Sequence, residues 1–282
     1  MPRLIGGTKT GSDFRQTGER SAPLLEVKAL HVSAGKTKIL DGVDFALSPG
    51  SVTGVLGQSG CGKTTTALAI MRLLPVSTSC AGAIYYSGRD ILGLPEKRMR
   101  EMRGRQIAMI FQEPGLALNP VMRVGNQVME VMRAHLPWDR ERRRHETRQL
   151  FDELELESVD RVFSSYPHQL SGGQCQRVLI AQALAAAPNL IIADEPTASL
   201  DAIVQAEIMA LLRRVHRLKK TAMLFITHDP ALLAGFAEHV LVMDSGKIVE
   251  SGTTDAVFRA PTHPFTRAIV QVVEKRVAWT TA

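Results

Sequence analysis

Cysteine is scarce in this 282-residue chain: Cys61, Cys80 and Cys175 are too few and too scattered for a disulfide framework or a four-ligand zinc site. That scarcity fits a reducing compartment. The eight histidines show no ligand spacing, so they indicate no metal centre. Long apolar runs are missing too. Even "ALAAAPNLIIA" is interrupted by Pro188 and Asn189, and no stretch approaches the roughly 20 apolar residues that span a bilayer. A membrane role would have to be one of docking. The opening segment lacks the apolar core of a signal peptide, and its Gly, Ser, Thr and charged residues make 1–23 an expected flexible tail. The net charge of +6 is modest and spread along the chain, so a nucleic-acid partner is not demanded. There is no internal repeat and no low-complexity block.

What is present is a chain 45% hydrophobic, enough for one large core or a core with a smaller lobe. From Leu24, the segments "LLEVKALHVSA" and "VDFALSPGS" alternate as antiparallel strands do, with turns at Gly35 and Pro49-Gly50. "VTGVLG" reads as a buried strand that runs through a glycine-rich turn into the helix "KTTTALAIMRLL", which Pro75 is expected to stop. Between Phe111 and Leu170 the sequence turns helical and more polar, with Leu150, Phe151, Leu154 and Leu156 at helical spacing. Then "NLIIAD" and "AMLFIT", separated by the amphipathic "AIVQAEIMALLRRVHRLKK", carry the pattern of parallel strands joined by a crossover helix. "HVLVMDSGKIVESG" reads as a hairpin turning at Ser245-Gly246, and a terminal helix follows Pro264. The expected fold is α/β: a P-loop core with a mostly parallel sheet, an antiparallel layer and an inserted helical subdomain over about 112–172, within one domain spanning 24–282.

"GQSGCGKT", Gly57 to Thr64, satisfies G-x-x-x-x-G-K-[ST] and lies between a buried strand and a helix, where that pattern has its mechanism. Gly57, Gly60 and Gly62 let the loop curl so that its N–H groups point inward, and the helix N-terminus adds partial positive charge. Phosphates are expected there. Gln58, Ser59, Cys61 and Thr65 complete the cradle, Lys63 would reach the β- and γ-phosphates, and the Thr64 hydroxyl would ligate Mg²⁺. Cys61 is either a redox-sensitive thiol or a space-filling one. "LIIADEPT" ends an apolar strand on two carboxylates with separate tasks: Asp194 for the Mg²⁺ shell, Glu195 as general base on the attacking water.

"LSGGQCQR", Leu170 to Arg177, has no carboxylate, no histidine and no metal ligand, yet a serine before two glycines prepares backbone for close approach. Standing shortly before "LIIADEPT", it makes the chain from about Leu24 to Thr266 resemble the nucleotide-binding subunit of an ABC transporter. The resemblance implies that Ser171 caps a helix and, with Gly172, Gly173 and Gln174, grips the γ-phosphate of ATP held on another subunit's P-loop. It further implies that Gln112 in "IFQEP" senses Mg²⁺ and water, that His228 in "ITHD" contacts the γ-phosphate, and that Asp201 in "ASLD" crosses to the partner. Ala34 stands where relatives stack adenine on an aromatic, so His31 or an apolar wall would have to substitute, and ATP is not separated from GTP by the phosphate contacts.

"IFQEPGLALNP" and "APTHPFTRAIV" look like the dipeptide, oligopeptide and nickel importer group. Many peptide members continue into a cysteine-bearing extension that this sequence lacks, as nickel-type subunits do, so both cargoes stay open. The resemblance implies two permease subunits, a second ATPase, homologous or identical, and an extracytoplasmic solute-binding protein. Permease loops would dock beside Gln112 at the cytoplasmic face of the inner membrane. The arginine run Arg140–Arg144 is expected to be a solvated helix face. A soluble ABC-type ATPase acting on DNA or ribosomes is the alternative; such proteins usually insert coiled coils, zinc modules or a second cassette, and none is seen.

Overall fold

The computed structural model describes residues 22–271. Residues 1–21 and 272–282 lie outside that range, and with them falls most of the tail expected over 1–23. The chain opens as a hairpin, β1 (Leu25–Ala34) and β2 (Thr37–Leu47), turning at Gly35 as the sequence suggests. β3 (Val52–Leu56) then starts a separate sheet and leads through the glycine-rich loop into α1 (Lys63–Met71). The helix ends at Arg72, which adopts the left-handed conformation at φ 50°, three residues before Pro75. A backbone cap therefore stops it, ahead of the proline.

β4 (Thr78–Tyr86) returns to pair with the free side of β1, and β5 (Arg89–Asp90) extends β4, giving the order β2-β1-β4-β5. After α2 (Glu96–Met102), β6 (Ile107–Ile110) joins the other sheet. Here the chain leaves the strands for α3 (Pro114–Ala117), α4 (Val124–His135), α5 (Arg140–Glu153), α6 (Val159–Ser164), a 3-10 turn at Pro167–Gln169, and α7 (Gly172–Leu184). α5 stops at Glu153, so Leu154 and Leu156 lie past its end, both buried on either side of Glu155, which turns the chain at φ 57°. Their apolar spacing reports burial and overstates the helix by one turn. Several arginines of α5 are held within this region: Arg142 stacks 4.5 Å from the Trp138 ring centroid and Arg148 4.6 Å from that of Phe163.

β7 (Leu190–Asp194), α8 (Ala202–Lys219), β8 (Ala222–Thr227), α9 (Pro230–Leu233), β9 (His239–Asp244), β10 (Lys247–Thr253) and α10 (Thr254–Arg259) complete the named elements, and a helix covers 264–271. The second sheet has the order β10-β9-β3-β8-β7-β6, parallel except for the β9–β10 hairpin. Every residue of β3, β7 and β8 is buried, because a parallel sheet is covered on both faces. Period-two alternation divides them. Leu190, Ile192, Leu224 and Ile226 face the antiparallel layer and α1, whereas Ile191, Ala193, Met223 and Phe225 face the helices. This is the α/β P-loop fold, and its strand ends gather the polar groups described next.

Candidate functional site

The C-terminal ends of β3, β8 and β7 are adjacent in the sheet, with Leu56 paired to Thr227 and Asp194 to Ile226. This edge is where open α/β sheets bind ligands. The loop of residues 57–62 leaves β3 and closes on α1 at Gly62, whose φ of 110° and whose missing Cβ, which would stand 2.6 Å from Leu40 Cδ2, both require glycine. Lys63 opens the helix with 4% exposure, and its Nζ donates to Gly57 O and Gln58 O, each at 2.9 Å. The ammonium is folded into the concavity of the loop. A buried cation inside a curl of backbone complements a polyphosphate.

Thr64 Oγ1 donates to Asp194 Oδ1 at 3.2 Å. Asp194 is 2% exposed; burial, aided by the charge of Glu195, raises its carboxyl pKa, against the hydroxyl of Thr64 and the charge of Lys63. A divalent cation would relieve that cost, and a hydroxyl beside a carboxylate is the hard-oxygen donor set Mg²⁺ takes alongside substrate phosphates. Among the described residues there is no cluster of three His, Cys, Asp or Glu side chains fit to hold a metal.

Glu195 continues the sheet ladder by donating its N–H to Ile226 O at 3.0 Å, while its φ of 45° turns the side chain out of the strand line. Left-handed backbone at a non-glycine residue is a cost that surrounding structure must enforce. Oε1 lies 3.7 Å from Lys63 Nζ and Oε2 2.9 Å from His228 Nδ1. His228 follows β8 and is 59% exposed at its side chain, and the next residue, Asp229, caps α9 through Ala231 N at 2.9 Å. One carboxylate thus bridges a buried ammonium and an exposed imidazole. Such a group can orient a water and accept its proton.

The cleft above these groups has a volume of roughly 630 Å³ and brings together Gly57, Gln58, Ser59, Gly60, Gly62, Lys63, Thr64, Thr65, Gln112, Glu195 and His228, all of them expected from the sequence. Ala198 and Ile269 complete the lining. Cys61 is a different case. Its side chain is packed in the core beneath the loop, and burial raises the thiol pKa despite the charge of Lys63, so it fills space and is not activated. His31 does not line the cleft either; its Nδ1 lies 3.3 Å from Asp41 Oδ1.

Ser171, Gly172, Gly173, Gln174 and Asp201 also stand outside this cleft. Ser171 Oγ accepts from Gln174 N at 3.2 Å and Gln174 Oε1 accepts from Ser171 N at 3.1 Å, a capping box at the start of α7. Asp201 caps α8 through Ile203 N and Val204 N, at 3.0 and 3.1 Å. The two helix starts abut. A Cβ on Gly173 would meet Val204 Cγ1 at 2.8 Å, so glycine is what lets α8 approach. Sequence reasoning assigned no role to Arg177, which sits buried behind this ridge and ties Leu154 O, Glu155 and Glu207 together at 2.9, 3.2 and 3.0 Å. Ile269 lies within "APTHPFTRAIV", but that segment carries only a group resemblance, and nothing in it assigns the side chain a place in the cleft.

Fold and cleft together define a P-loop nucleotide-binding protein. Comparison makes this more specific: the family model described as "ABC transporter" matches residues 40–198. The chain is 43% identical to the probable D,D-dipeptide transport ATP-binding protein DdpD of Escherichia coli, over 88% of this chain and 78% of that one. It is 39% identical to the oligopeptide transport ATP-binding protein OppD of Haemophilus influenzae, over 90% and 80% respectively. Among solved structures it resembles the dimeric post-hydrolysis ATP-binding cassette MJ0796 bound to ADP and Pi, with TM-score 0.72, 27% identity, and coverage of 82% of this chain and 98% of that one. It also resembles cbiO1 of Clostridium perfringens, part of the ABC transporter complex cbiONQ, with TM-score 0.73, 25% identity, and coverage of 93% and 99%. The chain belongs to the ABC transporter family and is an ATPase of its ATP-binding-cassette type.

Proposed function

We propose that this chain is the ATP-hydrolysing subunit of a peptide importer, working in a pair with a second cassette. The observation that carries this is the division of the site. Lys63, Thr64 and the His228–Glu195 pair line one cleft, with the buried Asp194 hydrogen-bonded to Thr64, while the capping box of Ser171 lies outside it. A helix N-terminus bearing a serine and two glycines suits an anion, and among the described residues the cleft lined by the phosphate loop does not include it. The ridge is therefore assigned to nucleotide on a second subunit, homologous or identical, and the dimeric cassette among the structural neighbours supports that reading.

In the paired state Lys63 would hold the phosphates, Thr64 and Asp194 would hold Mg²⁺, and Gln112, which lines the cleft, would sense metal and water. Mg²⁺ supplies charge neutralisation at the phosphates when bound. Glu195 orients the attacking water and takes its proton, and His228 keeps that carboxylate aimed while offering its other ring nitrogen to the phosphate. Helices of residues 112–172 form the coupling subdomain. Phe111, at its edge, and Leu116 and Val121 within it are exposed at 40, 83 and 82%, apolar side chains suited to docking the loops of two permease subunits. Among the described residues no helix is long and apolar enough to cross a membrane. The proposed location is peripheral, on the cytoplasmic face of the inner membrane, with a solute-binding protein meeting the permease on the far side.

Peptide cargo is favoured over nickel by the relatives, which are named for D,D-dipeptide and oligopeptide transport. Uptake of labelled dipeptides and of labelled nickel by a strain deleted for this chain, and by the same strain carrying Glu195→Gln, tests the assignment. Loss of dipeptide uptake alone in both is expected; loss of nickel uptake alone would transfer the cargo, and unchanged uptake of both would refute the importer reading.

A further inference from the structure

One wall of the cleft is supplied by a part of the chain remote in sequence from every nucleotide motif. Ile269, on the helix of residues 264–271, lines the same space as Lys63, Glu195 and His228, and its inner side packs against the helix-facing core. Its position traces back to Glu250. β10 pairs with β9 through a β-bulge between Ile248 and Glu250, and a bulge re-aims the side chain beside it. Glu250 Oε1 accepts from the Thr262 N–H and the Thr262 hydroxyl, both at 2.8 Å, and Oε2 accepts from the His263 N–H at 3.0 Å. Arg267 closes the corner from the other side, donating from Nε to Pro261 O at 3.0 Å and from Nη2 to Thr262 O at 2.9 Å. Phe265 packs on the core and Thr266 is fully buried. Charge-assisted bonds from one carboxylate to three donors fix the backbone from which the last helix departs.

We propose that this clasp aims Ile269 at the nucleotide cleft, where it slows nucleotide exchange: Ile269 is a retention residue and Glu250 its positioning residue. The physical reason is exclusion of water. An apolar branched side chain on a lining that also carries a cation, a carboxylate and an imidazole narrows solvent access and lowers the local dielectric, which strengthens the charge contacts to a bound polyphosphate. The inference rests on the cleft being the nucleotide site.

The test is stopped-flow displacement of methylanthraniloyl-ADP from the purified full chain by excess unlabelled ADP. Ile269→Ala is expected to raise the dissociation rate about tenfold, the low end of what an apolar group is worth in a binding wall. Glu250→Gln should raise it in the same direction. The double variant should be no faster than Ile269→Ala, because both changes remove one device. An unchanged rate in Ile269→Ala, or additive effects in the double variant, would overturn the proposal. Lys63→Ala separates the two levels: if the wild type binds the probe and Lys63→Ala does not, the cleft stands and only the role of Ile269 is at stake. Binding that ignores Lys63 would remove the cleft assignment and this inference with it.

Discussion

The Nδ1 of His228 stands 2.9 Å from Oε2 of Glu195, and the other oxygen of that carboxylate faces the buried Lys63 ammonium at 3.7 Å. Residues 33 positions apart meet because β7 and β8 are neighbours and their ends are in register. A carboxylate shared in this way is held in orientation from two sides, which suits it to direct a water.

Glu195→Gln removes the proposed proton acceptor and keeps the shape. Turnover should fall by a factor of about 10² to 10⁴ while nucleotide is still held. Phosphate release measured beside equilibrium binding of ATP checks this. Brisk steady-state hydrolysis by the variant would remove Glu195 from the role of base.

Lys63→Ala strips the loop of its buried cation and leaves Gly57 O and Gln58 O without their donor. Nucleotide affinity should fall roughly 10- to 100-fold, the worth of a charged hydrogen-bonding group. Calorimetric titration with ATP and Mg²⁺ measures it, and an affinity equal to wild type contradicts the assignment.

Ser171 has a structural task and a proposed functional one, and two substitutions separate them. Ser171→Ala should cost about 1 kcal/mol of stability through loss of the cap. Ser171→Asp preserves a good cap, so its melting temperature should stay near wild type, but its negative charge would repel a phosphate. Its ATPase rate should collapse. Full activity in Ser171→Asp would leave capping as the whole role of this side chain.

Glu250 predicts a pH dependence. Burial opposes its ionisation, but the N–H groups of Thr262 and His263 and nearby hydroxyls outweigh this and hold its pKa down at about 2, from an ordinary 4.5. The facing donors belong to Thr262 and His263, and Arg267 is turned onto the carbonyls of Pro261 and Thr262. A carboxyl lowered in the folded state contributes stability that is complete above its unfolded pKa and disappears as pH falls through its folded pKa. Wild type should therefore exceed Glu250→Gln in urea midpoint at pH 6, and the gap should close between pH 4.5 and about 2. A gap that persists unchanged at the acid end would assign the effect of Glu250 to packing.

The sequence made some of this legible and hid the rest for physical reasons. β3, β7 and β8 announce themselves as unbroken apolar runs because both faces of a parallel sheet are covered. The phosphate loop is readable because glycine, lysine and threonine must follow one another at fixed spacing there. β4 escapes the same reading: much of it is exposed, it starts "TSCAG", and its pairing with β1 slips between Lys28 and His31, so neither apolar period nor a turn signal marks it. β6 is four residues long. Ile269 is invisible for another reason, since its direction depends on a bulge and on hydrogen bonds between Glu250 and residues 12 and 13 positions away. Short-range periodicity carries no information about such a contact.

A chain that owns only half of each reaction chamber must pair to hydrolyse ATP, and sedimentation of Glu195→Gln reads that pairing. The variant should sediment as a monomer without nucleotide and as a dimer with ATP and Mg²⁺, and adding Ser171→Asp should return it to the monomer. A Glu195→Gln protein that binds ATP and stays monomeric at every concentration, in a chain whose wild type hydrolyses ATP at full rate when dilute, would show instead a reaction chamber complete within one chain.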